Sequence, residues 1–251
     1  MLVKILAVAA LAAALVLALA GPVVAAPAAV TVSVDVAARD ASSVTLRWRL
    51  DLADGWYVYG PFRNDAGFPP SVQLDLPDGW RAGPLRWPAP ERHLLTGGIL
   101  DHVYHHRLEM VQTLRRDPSA AAAVRATARV QWLACRTSCV PGDTTLSVDT
   151  AAPLSGDLAA ALAAVPGPLP DGAATARRRD SAVEIVAPGA RALTVIPAED
   201  APLLLDLAGD GHVPGDRLVL RFLPGAAAPP PFQALLIIDH ESGATLGYLT
   251  L

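Results

Sequence analysis

The stretch Val30-Thr31-Val32-Ser33-Val34-Asp35-Val36 alternates apolar and polar residues without a break, and Val44-Thr45-Leu46-Arg47-Trp48-Arg49-Leu50 repeats the pattern. Side chains on a strand point alternately to opposite faces, so each stretch reads as a strand with one buried face. Ser71 to Leu76, Arg107 to Leu114, Ala123 to Leu133 and Thr144 to Val148 continue the series, with Gly, Pro, Asp and Asn between them. Short strands punctuated by turn residues predict an all-β chain built on a β-sandwich.

Composition agrees. Of 251 residues, 52% are hydrophobic and 18% charged, too apolar a balance for a disordered chain. The single long apolar run lies near the start, which excludes a multi-span membrane protein. Met1 to Lys4 carries one positive charge, Ile5 to Ala20 is an unbroken Ala, Leu and Val segment, and Gly21-Pro22 ends it before a small-residue stretch that closes at Ala26. The pattern predicts a secretory signal peptide over residues 1–26, cleaved after Ala20 or Ala25. About 16 apolar residues fall short of the ~20 that a membrane span needs. Removing residues 1–26 takes away Lys4 and no acid, so 20 − 1 = 19 basic residues face 24 acidic ones, a net charge of −5. No basic patch suited to nucleic acid is present; Arg177-Arg178-Arg179 reads as a solvated tether.

The organisation expected is a first β module over residues 27–150, an Ala-, Pro- and Gly-rich linker over 151–180 with a short helix at Asp157 to Val165, and a smaller β domain over 181–251. The last should contain strands at Ala182 to Val186, Ala192 to Ile196, Leu203 to Leu207, Arg217 to Leu223, Ala234 to Asp239 and Thr245 to Leu251, with a loop at Pro229-Pro230-Pro231. It has no cysteine and reads as a supporting or docking module.

Export gives meaning to the two cysteines, because thiols pair in an oxidising compartment. Both fall in Gln131-Trp132-Leu133-Ala134-Cys135-Arg136-Thr137-Ser138-Cys139-Val140-Pro141-Gly142. On an extended strand their α-carbons would stand ~13 Å apart, whereas a disulfide needs about 4.4–6.8 Å, so pairing requires Arg136-Thr137-Ser138 to turn. Pro141-Gly142 suggests a second reversal, with the cysteines at the mouth of a hairpin. Cys135 shares the polar phase of Arg125, Thr127, Arg129 and Gln131, so it is expected near the surface, and neighbouring Arg136 would favour its thiolate. A ring of five residues contributes only about 2 kcal/mol of loop entropy, against ~4.7 for a hundred-residue loop. That is a weak reason to keep the bridge as a staple and a better one for exchange, although spacing alone leaves exchange, staple and metal ligation open.

Three ordered motifs carry a resemblance. Trp132-Leu133-Ala134-Cys135 through Cys139-Val140-Pro141 resembles the W-L-x-C-x-x-x-C-x-P signature of the periplasmic N-terminal domain of DsbD-type and ScsB-type thiol:disulfide interchange proteins. Gly55-Trp56-Tyr57-Val58-Tyr59, followed by Asn64-Asp65-Ala66-Gly67-Phe68-Pro69-Pro70-Ser71, resembles that family's aromatic strand and the loop after it. Pro77-Asp78-Gly79-Trp80 through Gly83-Pro84-Leu85-Arg86-Trp87-Pro88 and Arg92 resembles a third block. The likeness spans about Val30 to Val148. It departs at Gly60, where the family has Trp, and at Pro61-Phe62-Arg63, which replaces a lysine-containing segment.

The resemblance implies an immunoglobulin-like sandwich whose Cys135/Cys139 pair exchanges disulfides. Trp132, Pro141, Tyr57 and Tyr59 would support the pair, while Trp80, Trp87 and Pro88 would act as scaffold. Cys135 is expected to attack and Cys139 to resolve. The expected partners are a separate membrane electron-transfer protein as donor, since the sequence carries neither the hydrophobic multi-span domain nor the thioredoxin-like Cys-x-x-Cys domain of full-length members, and periplasmic thioredoxin-like or disulfide-isomerase proteins as clients. No cofactor is expected, and the compartment is the periplasm. A rival reading comes from Asp101-His102-Val103-Tyr104-His105-His106: on a strand His102 and His106 share a face, with His105 opposite, and could hold copper or zinc. His93 could instead tune the thiols. A third reading is a disulfide-stapled binding domain without catalysis.

Overall fold

A computed structural model describes residues 28–155, 158–179, 181–223 and 232–251; the expected signal peptide and the Pro229-Pro230-Pro231 loop lie outside them. The N-terminal half contains β1 (Val30–Arg39), β2 (Ser43–Leu52), β3 (Tyr57–Tyr59), β4 (Ser71–Asp75), β5 (Trp80–Arg86), β6 (Glu91–Leu94), β7 (Leu100–His105), β8 (Arg107–Arg116), β9 (Arg125–Cys135) and β10 (Cys139–Asp149). One sheet has the order β1-β2-β8-β5, and the other runs β10-β9-β3-β7-β6 with β4 also on β9. All pairings are antiparallel.

The alternation seen in the sequence is what closes these sheets face to face. Leu46, Trp48, Leu50, Leu108, Met110 and Leu114 from the first sheet meet Val58, Tyr104, Ala128, Val130 and Ala134 from the second in one buried cluster. This is the immunoglobulin-like sandwich. Polar groups trapped in it are satisfied: Trp48 Nε1 donates to Gln112 Oε1 at 3.1 Å, and Gln112 Nε2 to the Gly83 carbonyl at 2.9 Å, as burial demands. Trp80 and Trp87 are in the same core, and Trp87 stacks on Tyr104, whose hydroxyl donates to the Pro88 carbonyl at 2.8 Å.

Pro141-Gly142 does not reverse the chain. Both lie inside β10, with Pro141 opposite Leu133 and Gly142 opposite Trp132. Proline is tolerated because β10 is a sheet edge. Glycine is required because a Cβ at 142 would sit 2.6 Å from the Trp132 indole, which lies across the strand.

The C-terminal half contains α1 (Leu158–Ala163), β11 (Thr175–Arg179), β12 (Ala182–Val186), β13 (Ala192–Pro197), α2 (Leu207–Asp210), β14 (His212–Pro214), β15 (Arg217–Arg221), β16 (Gln233–His240) and β17 (Gly243–Thr250). Its sheets, β11-β12-β15 and β14-β13-β16-β17, enclose a second core that includes Val183, Ile185, Leu193, Val195, Leu220 and Leu236. Two expectations are overturned, and one strand was not foreseen. Arg177-Arg178-Arg179 is the greater part of strand β11 and not a tether, because its backbone pairs with β12 while Arg179 bonds Glu184 at 3.4 Å. Leu203 to Leu207 forms no strand; it makes a single bridge at Leu204 and leads into α2. β14 carries no alternation long enough to be read in advance.

The halves touch directly. Phe62 is buried with Ile196 and Leu235. Arg92 donates to the Leu207 and Ala208 carbonyls, each at 3.0 Å, and Arg63 to those of Glu199 and Ala201.

Candidate functional site

The β9–β10 hairpin brings the cysteines together as its first paired rung, Cys139 opposite Cys135. Arg136-Thr137-Ser138 turns as expected, closed by the Arg136 N–H donating to the Ser138 carbonyl at 3.1 Å. Cys135 and Cys139 form a disulfide, S–S 2.00 Å.

Their environments differ, and in the opposite sense to the expectation. Cys135 is 1% exposed, and Cys139 is exposed. The phase assigned to Cys135 is right: it lies on the outer face of its sheet, with Arg125, Thr127 and Arg129 exposed along the same face. At its C-terminal end, however, that face is roofed. β3 runs beside Cys135, with Tyr57 as its direct cross-strand partner, and Tyr57, Tyr59, Val103 and Leu133 close over the sulfur. Tyr59 is itself covered by the 64–70 loop: Gly67 takes φ +69 and lies so near the ring that a Cβ there would overlap it.

The Tyr59 hydroxyl stands 3.4 Å from Cys135 Sγ. A disulfide sulfur has no hydrogen, so the phenol is the donor. Burial, chiefly, raises the Tyr59 hydroxyl above the ordinary phenol range, so it stays protonated and able to donate. Tyr57 packs edge-on to Tyr59, 5.7 Å between ring centres. The Arg136 guanidinium lies 5.3 Å from the centre of the Trp56 ring, a cation–π contact. Trp132 packs against the sandwich core and Pro141 lies exposed on the edge strand. The site therefore has a closed side, floored by tyrosines, and an open side at Cys139 and the half-exposed Val140.

The histidine run behaves differently from its reading. His102 is fully buried, and its Nδ1–H donates to the Arg63 carbonyl at 2.6 Å. Burial depresses its pKa to about 4. His106 takes φ +58 and leaves the strand alternation, so its ring comes 6.4 Å from that of His105. The expected His102/His106 ligand pair is thereby broken up, and among the described residues no group of three His, Cys, Asp or Glu is assembled to hold a metal. What the sequence did not reveal is the row Tyr57, His105 and His93: ring centres lie 4.8 Å apart for Tyr57–His93 and 5.6 Å for both Tyr57–His105 and His93–His105. The pairings of β3 and of β6 with β7 put these residues together.

An immunoglobulin-like sandwich that ends one hairpin in a disulfide, one sulfur shielded and the other open, defines the class: a β-sheet thiol–disulfide module. The chain belongs to the family of the thiol:disulfide interchange protein DsbD, N-terminal, whose model matches residues 22–151, more than half of its length. Thiol–disulfide exchange is that family's chemistry. No curated protein matches the chain. Among solved structures it resembles the N-terminal periplasmic domain of ScsB from Proteus mirabilis, with 15% identity, TM-score 0.60 and coverage of 88% of this chain and 93% of that one. It is also similar to the reduced N-terminal domain of DsbD from Neisseria meningitidis, with 19% identity, TM-score 0.35 and coverage of 48% and 85% respectively. Among the described residues no helix is long and apolar enough to cross a membrane.

Proposed function

We propose that the protein relays electrons in the periplasm, accepting them from a separate membrane protein and passing them to thioredoxin-like or disulfide-isomerase clients through Cys135 and Cys139. In this reading residues 1–26 are removed on export, residues 27–150 form the redox module, and the second β module, which begins at β11 (Thr175–Arg179) and not after residue 180, supports it. The observation that carries it is the asymmetry of the sulfur pair, with Cys139 exposed and Cys135 sealed beneath Tyr59.

Exchange requires a thiolate to approach one sulfur in line with the bond, and only Cys139 is open to such approach. The donor's thiolate attacks Cys139 Sγ and forms a mixed disulfide, and the S–S bond electrons leave with Cys135, whose thiolate accepts the Tyr59 hydrogen bond and then a proton. The donor's second thiolate attacks its own sulfur in that mixed disulfide and releases Cys139. The donor departs as a disulfide; this chain has gained two electrons and two protons. Delivery to a client is the reverse sequence, with Cys139 as nucleophile and Cys135 as resolving thiol, the opposite of the assignment drawn from strand phase.

The deciding experiment is a trap. Reduced Cys135→Ser protein, incubated with a periplasmic extract, should accumulate mixed disulfides through Cys139, whereas Cys139→Ser should give few. Equal trapping by both variants would reject the assignment, and trapping by neither would reject exchange.

A further inference from the structure

We propose that His93 and His105, with His106 swinging in as a third ligand, form a binding site for a divalent ion of the zinc, nickel and copper class on the outer face of the sandwich, with strand β3 between it and the disulfide. This goes beyond thiol exchange and does not depend on it.

With metal–nitrogen bonds of about 2.1 Å, two imidazoles on one tetrahedral ion hold their ring centres roughly 5–5.5 Å apart; those of His93 and His105 are 5.6 Å apart. Both side chains are half-buried, held by contact with Tyr57, so little rotamer freedom is left to lose on binding. None of the ring nitrogens of His93, His105 or His106 is taken up in a hydrogen bond among the described residues.

His106 gives an independent indication. Neighbours on a strand point to opposite faces, and His106 alone among the described non-glycine residues escapes this through a positive φ, +58°. A non-glycine side chain in that region is unfavourable, and such positions cluster at functional sites. Here it turns an exposed imidazole toward His105, 6.4 Å between ring centres, so a modest side-chain rotation completes a three-nitrogen set. Asp101, the cross-strand partner of His93, has a buried Oδ2 without a hydrogen bond, the kind of outer carboxylate that ligating imidazoles take as a partner. Imidazole donors without a thiolate select the late first-row ions.

The test uses oxidised protein, so that no thiol can bind metal. Calorimetric titration with Zn2+ should give one saturable site per chain, and His93→Ala or His105→Ala should weaken it by about tenfold or more, the scale on which even outer partners of a metal act. His240→Ala, on β16, should bind as wild type does. Cobalt needs no mutation: Co2+ on the wild-type chain should develop the intense visible bands of a tetrahedral site. A hydrated octahedral cobalt spectrum, absence of saturable zinc binding, or unchanged binding in the His93→Ala/His105→Ala double variant would each overturn the proposal. If exchange fails its own test and zinc still binds here, the metal site stands alone.

Discussion

Tyr59 directs its hydroxyl at Cys135 Sγ from 3.4 Å, on the side of the disulfide that solvent does not reach. The contact ties the protein's buried sulfur to a donor that burial keeps protonated. Because the rate of exchange depends on how well the departing thiolate is stabilised, the proposed relay makes Tyr59 a positioning residue whose removal should be felt in the rate.

Tyr59→Phe should therefore slow reduction by a small dithiol. A hydrogen bond to a charged group is worth about 1.5–3 kcal/mol, so the rate constant in stopped-flow mixing should fall by roughly ten- to hundredfold. An unchanged rate would mean that the phenol only fills space.

In the reduced protein the two thiols should differ in reach. Limited iodoacetamide followed by peptide mass mapping should find Cys139 alkylated well before Cys135. Tyr59→Ala, which opens the roof, should bring the two rates together.

Gly142→Ala tests the packing beside the hairpin. The new Cβ would lie 2.6 Å from Trp132, and overpacking of this kind costs typically 1–3 kcal/mol. Urea unfolding should show a lower midpoint with an unchanged slope.

His102 should make the fold acid-sensitive. Its pKa falls to about 4 in the folded chain from the ordinary histidine value of 6.5. Between those values the unfolded chain binds more protons, so stability rises with pH across that window. The contribution is complete above pH 6.5 and is lost as pH falls toward 4, about 3 kcal/mol at most at 1.36 kcal/mol per unit. Asp101, whose pKa burial raises, works in the opposite sense in its own range. His102→Asn, which retains a donor for the Arg63 carbonyl, isolates the histidine: its denaturation midpoint should vary less between pH 6.5 and 4 than that of the wild type.

Phe62→Ala should loosen the contact between the halves. Removing a buried phenylalanine costs about 3–5 kcal/mol, and Phe62 packs on Ile196 and Leu235 across the boundary. Hydrogen exchange should rise in β13 and β16 with little change in β2 and β8.

Much of this was legible in the sequence. Alternation in Val30 to Leu50 determined the strands, and the spacing of Cys135 and Cys139 determined that a turn must close for them to pair, because both depend on neighbours along the chain. The phase of Cys135 was legible for the same reason; its burial was not. Whether an outward-facing residue meets water depends on which other strand lies over it, and Tyr57 and Tyr59 arrive from a segment more than seventy residues earlier in the chain. The histidines divide in the same way: strand periodicity grouped His102 with His106, whereas the β3–β7 and β6–β7 pairings gather His105 and His93 around Tyr57 and the left-handed backbone at His106 sets its ring beside His105. Local periodicity sets the direction in which a side chain points. Long-range pairing decides what it meets there.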